Sequence, residues 1–320
     1  MRRRQFITLL GSIIAAPFVA RAQSAGRIYR IGMLLPLSAD ILAGFFDELR
    51  RLGFVEERNL KVDRSGASAH YDQFPAIAAG FVAAGVDAIL CAGDAAARAA
   101  QEATRTIPIL AVADDMVGSG LVPSLSHPGG NMTGISILAG NLDGKRQDLL
   151  IDLLPGVRRM AAISDIRTTS PAQLQRVREV ARSRDVELSI QSVERREEIV
   201  PAIDAAQAEG AAALNVLASP FLHENAPTIL MRTAELRMPA IYQWPDIAEQ
   251  GGFAGYGPRF TEIFRQWARQ LAKVLVGVVP ADLPVEQPTR FELVINLNTA
   301  RALGIEVPPT LLVRADAVVE

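Results

Sequence analysis

Few residue types able to do covalent chemistry occur in this 320-residue chain, and they are scattered. There is one cysteine, Cys91, and there are three histidines, His70, His127 and His223, far apart in sequence. An intrachain disulfide and a thiolate-rich metal site are therefore excluded. Cys91 lies inside an apolar run with nothing polarising beside it, the setting of an inert buried thiol. His127 precedes Pro128-Gly129-Gly130 and reads as part of a turn. No Gly-x-Ser-x-Gly elbow, Walker loop, metal-ligand spacing or Gly-x-Gly-x-x-Gly fingerprint appears. What remains suits non-covalent recognition: acids, hydroxyls, one arginine and aromatic rings, each just after a short apolar run.

Gly93-Asp94 opens a helical segment, where free N–H groups attract an anion such as an amino-acid carboxylate. Asp94 has two readings, a helix N-cap or a cleft carboxylate that repels an anion and favours a ligand ammonium. Asp114 and Asp115 follow the next apolar run; two adjacent acids point in different directions, so one is expected to meet a ligand cation and the other to cap a turn or face water. Ser38 and Ser164 are candidate hydroxyl ligands, and Arg167 is either a bidentate carboxylate clamp or a solvated loop residue. Ser219 and Trp244 each precede a proline on a loop, and Trp244 offers a flat apolar face for stacking. Tyr256, between Gly255 and Gly257, reads as cleft wall or hinge packing, its glycines suiting large backbone changes.

These residues need a frame, and the hydrophobic pattern supplies one. Apolar strand-like runs at 31–35, 60–63, 86–91, 109–113 and 132–138 alternate with helical stripes. Leu42, Phe45, Phe46, Leu49 and Leu52 form the first stripe at i, i+3, i+4, i+7 and i+10. The series restarts with strands at 160–164, 186–193, 211–217 and 240–243, and helices over 174–181, 200–209 and 225–237. Strands separated by helices imply right-handed crossovers and parallel sheets covered on both faces. The fold class is therefore α/β with two similar lobes. Ligands of such sheets bind outside the carboxyl ends of the strands, where the candidates above lie, apart from Tyr256.

Composition agrees with a globular protein with a proper core. The chain is 49% hydrophobic and 21% charged, with a formal net charge of −2, so it lacks the basic excess of a nucleic-acid binder. Arg2-Arg3-Arg4, the apolar run 6–20 and Ala20-Arg21-Ala22 follow the order of a secretory signal peptide cleaved after Ala22. The run is shorter than the ~20 residues of a membrane span. Arg3-Arg4-Gln5-Phe6-Ile7 is also similar to a twin-arginine signal, and Sec export stays open. Removing residues 1–22 takes away four arginines and no acid, leaving 29 basic against 35 acidic residues. A periplasmic, modestly acidic protein is expected.

Several segments together carry a family resemblance. They are the opening Arg2-Arg-Arg-Gln-Phe-Ile7, Leu52-Gly-Phe-Val-Glu-Glu-Arg-Asn59, His70-Tyr-Asp-Gln-Phe-Pro75 and His127-Pro-Gly-Gly-Asn-Met-Thr-Gly134. Further along come Pro239-Ala-Ile-Tyr242, Gly251-Gly-Phe-Ala-Gly-Tyr-Gly257, Pro288-Thr-Arg-Phe-Glu-Leu-Val-Ile-Asn296 and Ala302-Leu-Gly-Ile-Glu-Val-Pro-Pro-Thr310. Over nearly its whole length the chain resembles the ABC transporter substrate-binding protein family that contains the tryptophan-binding proteins of some Gram-positive bacteria. The resemblance implies a type I periplasmic-binding-protein fold with two Rossmann-like lobes, three hinge crossings and no catalysis. It places an N-lobe at 27–139 plus 258–280 and a C-lobe at 140–257 plus 285–320. It assigns Phe264, Trp267, Leu271 and Val274 to the apolar stripe of a helix near 258–280. It further implies a small-solute ligand, an amino acid or a related amine or organic acid, bound by hinge closure without a cofactor. The partners implied are an ABC permease and its ATPase subunit, with membrane contact only through the permease, and the protein is expected to be a monomer. Two departures stand out. Asp94 occupies a position where relatives often carry a hydroxyl, and Asp114 adds an acid beside the usual one at Asp115. Two rivals remain at this stage: a periplasmic ligand-sensing module for a membrane sensor kinase, and an exported hydrolase or isomerase using Asp94 and Asp115.

Overall fold

The computed structural model describes residues 26–35, 42–67 and 69–320; the proposed signal peptide and Ser38 lie outside them. The first half runs β1 (Tyr29–Leu34), α1 (Ala43–Arg51), β2 (Leu60–Asp63), α2 (Phe74–Ala83), β3 (Ala88–Ala92), α3 (Asp94–Ala103), β4 (Ile109–Ala113) and β5 (Met132–Ser136). Its sheet is parallel throughout, in the order β2-β1-β3-β4-β5. The chain continues through α4 (Ala139–Leu153), β6 (Arg159–Asp165), α5 (Pro171–Ser183), β7 (Glu187–Val193), α6 (Arg196–Ala208), β8 (Leu214–Val216), α7 (Pro220–Glu224), α8 (Ala226–Glu235), β9 (Ala240–Tyr242), α9 (Pro245–Glu249) and β10 (Ala254–Gly257). It closes with α10 (Phe260–Leu275), β11 (Glu292–Asn296), α11 (Leu297–Leu303), α12 (Pro309–Arg314) and β12 (Ala317–Val319). The second sheet has the order β12-β11-β10-β9-β8-β6-β7.

Read from β7, the second sheet repeats the order of the first: second strand, first, third, fourth, fifth. This is a doubly wound arrangement whose order reverses between β1 and β3 in one lobe and between β6 and β8 in the other. Such switch points open a crevice at the carboxyl ends of the strands. One pairing departs from the parallel expectation: β11 runs antiparallel to β10, and β12 then pairs parallel to β11.

The sheets form because their strands are apolar on both faces. In β3, Ala88 and Leu90 point into one core while Ile89 and Cys91 point into another. In β4, Leu110 and Val112 alternate with Ile109, Ala111 and Ala113 in the same way. A period of two with no polar side is the mark of a sheet covered by helices on both faces. The Cys91 thiol is fully buried, and burial pushes its pKa up, which leaves it protonated and unreactive.

Connections between the sheets come three times. The first leaves β5 for α4, the second leaves β10 for α10, and the third leaves α10 for β11. At the third, Glu286 donates its N–H to the Gly134 carbonyl at 2.9 Å, and Ser136 returns an N–H to the Glu286 carbonyl at 2.9 Å. The outgoing strand is thus laid along β5. Although α10 follows the second sheet in sequence, it packs on α1 and on β3, β4 and β5 of the first. Phe264, Trp267, Leu271 and Val274 are its buried stripe. Among the described residues no helix is long and apolar enough to cross a membrane.

Candidate functional site

On the first lobe's crevice edge, Gly93 is the N-cap of α3 with φ +85°, a conformation that a side chain disfavours. Asp94 is therefore the first residue of the helix, and its side chain makes no cap bond; the N-cap reading of Asp94 does not describe this turn. Burial raises the Asp94 pKa, opposed by the Ser119 hydroxyl, and the neighbouring Asp114 charge raises it further. Asp114 accepts the Gly140 N–H at 2.9 Å through its carboxylate. Its backbone carbonyl takes the Leu138 N–H at 2.7 Å. It therefore fastens the end of β4 to the first crossing. Asp115 accepts the Gly118 N–H at 2.8 Å and closes its own turn. The two adjacent acids do point apart, each engaging a different backbone N–H.

The second lobe presents a denser polar edge. Asp165, at the end of β6, is fully buried. It accepts hydroxyl hydrogens from Ser219 at 2.8 Å and Thr168 at 2.9 Å. The Ser219–Asp165 bond spans the switch point between β6 and β8. Ser219 also caps α7, accepting the Leu222 N–H at 3.2 Å. The Gln243 amide brackets the Ser219 backbone, accepting its N–H and donating to its carbonyl, both at 3.1 Å. Ser164 is buried against Ser192, oxygen to oxygen at 3.0 Å. Arg167 is exposed and pairs with Glu194 at 3.2 Å. Below this edge lies a fully buried ion pair of α4: Asp143 accepts from Arg146 at 2.5 Å and from the Ala218 N–H at 3.0 Å. Arg146 in turn donates to the Tyr256 carbonyl at 3.0 Å.

The two edges meet. The Arg167 guanidinium sits 5.3 Å from the ring centre of Tyr71, on the opposite lobe. Pro220 lies 3.4 Å from where a β-carbon on Gly93 would stand. Burial raises the Tyr71 pKa to about 12, aided by the Asp165 and Glu224 charges of the other lobe and opposed by Arg167. Burial likewise raises Glu224, while Arg196 and, across the gap, His70 pull it down. Side chains of both lobes thus share one electrostatic environment.

Trp244, after β9, is 4% exposed and belongs to an aromatic cluster. Its ring centre is 4.8 Å from Phe260 and 6.0 Å from His223, and His223 is 4.7 Å from Phe260. The rings continue from Phe260 to Phe264, Trp267 and Phe45. Tyr256 is half-buried on β10, opposite Leu293. Its flanking glycines serve close approach rather than mobility. A β-carbon on Gly255 would stand 2.5 Å from the Trp244 carbonyl oxygen, and one on Gly257 2.1 Å from that of Gln243. Gly257→Ala is accordingly expected to displace the Gln243–Trp244 loop and to cost about 1–3 kcal/mol of stability. Urea denaturation checks this, and an unshifted midpoint would show that the loop accommodates the methyl group.

Gly93, Asp94, Asp114 and Asp115 therefore share one rim, and Ser164, Arg167, Ser219 and Trp244 share the other, with Tyr256 behind it on β10. Sequence reasoning put Asp165 on the loop after the 160–164 strand without giving it a role, and it missed Tyr71, Phe260, His223 and the Asp143–Arg146 pair as parts of the crevice. A position just past an apolar strand marked Asp165 in the sequence; the other four become neighbours only through the crossings. Among the described residues no group of three or more His, Cys, Asp or Glu side chains could hold a metal.

Comparison with known proteins gives a consistent picture. A family model described as ABC transporter substrate binding protein matches residues 36–319. A tyrosine-binding protein of Clostridioides difficile (strain R20291) is 26% identical over 268 residues, 82% of this chain and 76% of the relative. A conserved domain protein from Vibrio cholerae superimposes with a TM-score of 0.82 at 25% identity, over 91% of this chain and 100% of that one. An ABC domain from Streptococcus pneumoniae in complex with L-Trp gives a TM-score of 0.79 at 23% identity, with the same coverage.

Proposed function

Since this chain belongs to the ABC transporter substrate-binding protein family, a family of solute binders and not of enzymes, we propose that it captures an amino acid in the crevice between its lobes and delivers it to an ABC importer. The lobes would be residues 27–139 plus 258–280 and residues 140–257 plus 285–320, closing about the three crossings. A closed state is favoured only by the differential affinity of the ligand for it, so the ligand must touch both rims. The observation that carries this reading is their pairing: acids at Asp94 and Asp114 on one side, and an aromatic cluster at Trp244 on the other. Acids suit an α-ammonium group, and the rings suit a flat side chain. An aromatic amino acid fits both, in keeping with the tyrosine-binding relative and the L-Trp complex.

Export by the N-terminal signal peptide, cleaved after Ala22, would place the protein in the periplasm. There the loaded monomer would dock on a permease and its ATPase subunit. Isothermal titration calorimetry with the twenty amino acids, followed by small-angle scattering with and without the tightest of them, tests the reading. A dissociation constant near ~1 μM, equivalent to about −8 kcal/mol, is expected for an aromatic amino acid, with a smaller radius of gyration when bound. No saturable binding across that panel would refute it.

A further inference from the structure

Three neighbouring parallel strands, β8, β9 and β10, each deliver one ring past their carboxyl ends: His223 from α7, Trp244 from the loop before α9, and Phe260 from the start of α10. That is the side of such a sheet where ligands bind. These rings sit beside the second crossing, since Phe260 begins the helix that follows it. The cluster carries a deficit of hydrogen-bond partners, which extends to Trp267 Nε1 deeper in the same chain of rings. Both ring nitrogens of His223 and the Nε1 of Trp244 are sealed from solvent, and no protein atom bonds to any of them. A buried polar group without a partner ordinarily costs about 1–3 kcal/mol, so three on adjoining rings are a concentrated expense in an otherwise apolar cluster. On the same rim Ser219 is paired with Asp165, Ser164 with Ser192 and Arg167 with Glu194, while the buried Thr169 hydroxyl there has no partner.

We infer that His223, with Trp244, forms the polar end of the ligand's side-chain subsite, and that it selects a ring carrying a hydrogen-bonding heteroatom, such as a phenol or an indole, over a plain phenyl ring. This deepens the amino-acid reading above and rests on it. A neutral imidazole has one nitrogen that donates and one that accepts, so it can serve a phenolic hydroxyl in either sense or accept from an indole N–H. Trp244 Nε1 adds a second donor. Burial lowers the His223 pKa to about 4, so the ring is neutral at physiological pH and keeps both roles. Discrimination of this kind is strong because a plain ring would leave the buried groups of the site unpaired.

The experiment compares L-tyrosine, L-tryptophan and L-phenylalanine on the wild type, His223→Phe and Trp244→Phe by calorimetry, with thermal melts of each ligand-free protein. In the wild type, tyrosine or tryptophan is expected to bind at least tenfold more tightly than phenylalanine. His223→Phe keeps a ring of similar size and should erase that preference by weakening the polar-ring ligand at least tenfold, leaving phenylalanine binding intact. Trp244→Phe should narrow the preference in part. The ligand-free melting temperature of His223→Phe should be unchanged or higher, because the substitution removes unsatisfied polar atoms and fills the same space. A lower melting temperature would mean that His223 is structural and would overturn the inference. So would a wild type that binds all three alike, or a preference that survives His223→Phe; both would leave the amino-acid reading standing. Binding of none of the three to the wild type would instead refute the aromatic-ligand reading, and this inference with it.

Discussion

Arg146→Met is expected to lower stability at neutral pH by about 3–5 kcal/mol, because it strands the Asp143 carboxylate in a fully buried site. Both side chains of the pair have no exposure, so water cannot take over from the lost guanidinium. Burial pushes the Asp143 pKa up, and the Arg146 charge and the Ala218 N–H pull it back. Removing Arg146 therefore raises it further. An acid whose native pKa exceeds its unfolded value binds its proton more tightly when folded, so its stability contribution falls as pH rises through that window and returns as pH falls. Urea denaturation at pH 7 and pH 5 should show a smaller deficit for Arg146→Met at pH 5. Asp143→Asn combined with Arg146→Met should recover most of the loss, since the asparagine carbonyl still accepts from Ala218. Equal losses at both pH values would mean that the carboxylate is not the source. The consequence reaches the crevice: the pair ties the backbone entering α7 to the carbonyl of Tyr256 on β10, and both flank the aromatic cluster.

Trp267→Ala should cost a comparable ~3–5 kcal/mol, the usual range for removing a large buried aromatic side chain. Trp267 is fully buried and lies 5.3 Å from Phe45 of α1 and 5.7 Å from Phe264, ring centre to ring centre. It seats α10 on the first lobe, and through Phe264 and Phe260 it backs the rings of Trp244 and His223. Trp267→Phe should lose less, because it keeps one ring in the contact. Denaturation of the two variants checks the ranking. A loss under ~1 kcal/mol for Trp267→Ala would show that α10 is held by its aliphatic stripe alone.

Much of the frame is legible in the amino-acid pattern. The segments 60–63 and 109–113 are strands with those bounds, because a short apolar run between turn residues has few other uses. The stripe from Leu42 to Leu52 is α1 with its flanks. By contrast, the hydrophobic pattern does not reveal α4, although this helix carries the buried ion pair. Gly140 and Gly144 lower its helix propensity, it has no side-chain cap, and it starts from Leu138 at φ +52°. Packing against α5 and the second sheet supplies what local propensity lacks. The antiparallel β11 was also invisible, since a strand's direction depends on where the chain returns from and not on its own residues.

The alternation of strand and helix, the two-lobe architecture, the family and the strand ends at which binding residues must lie can all be read along the chain. Hydrophobic period and turn chemistry are local properties, and they are written residue by residue. Which of those residues are already spoken for depends on the folded arrangement. Ser219 gives its hydroxyl to Asp165 and Asp115 closes a turn, whereas His223, an unremarkable residue in the sequence, keeps two nitrogens without a partner. Hydrogen-bond satisfaction is settled by groups far apart in the chain, so it comes into being only when the lobes and their crossings bring those groups together.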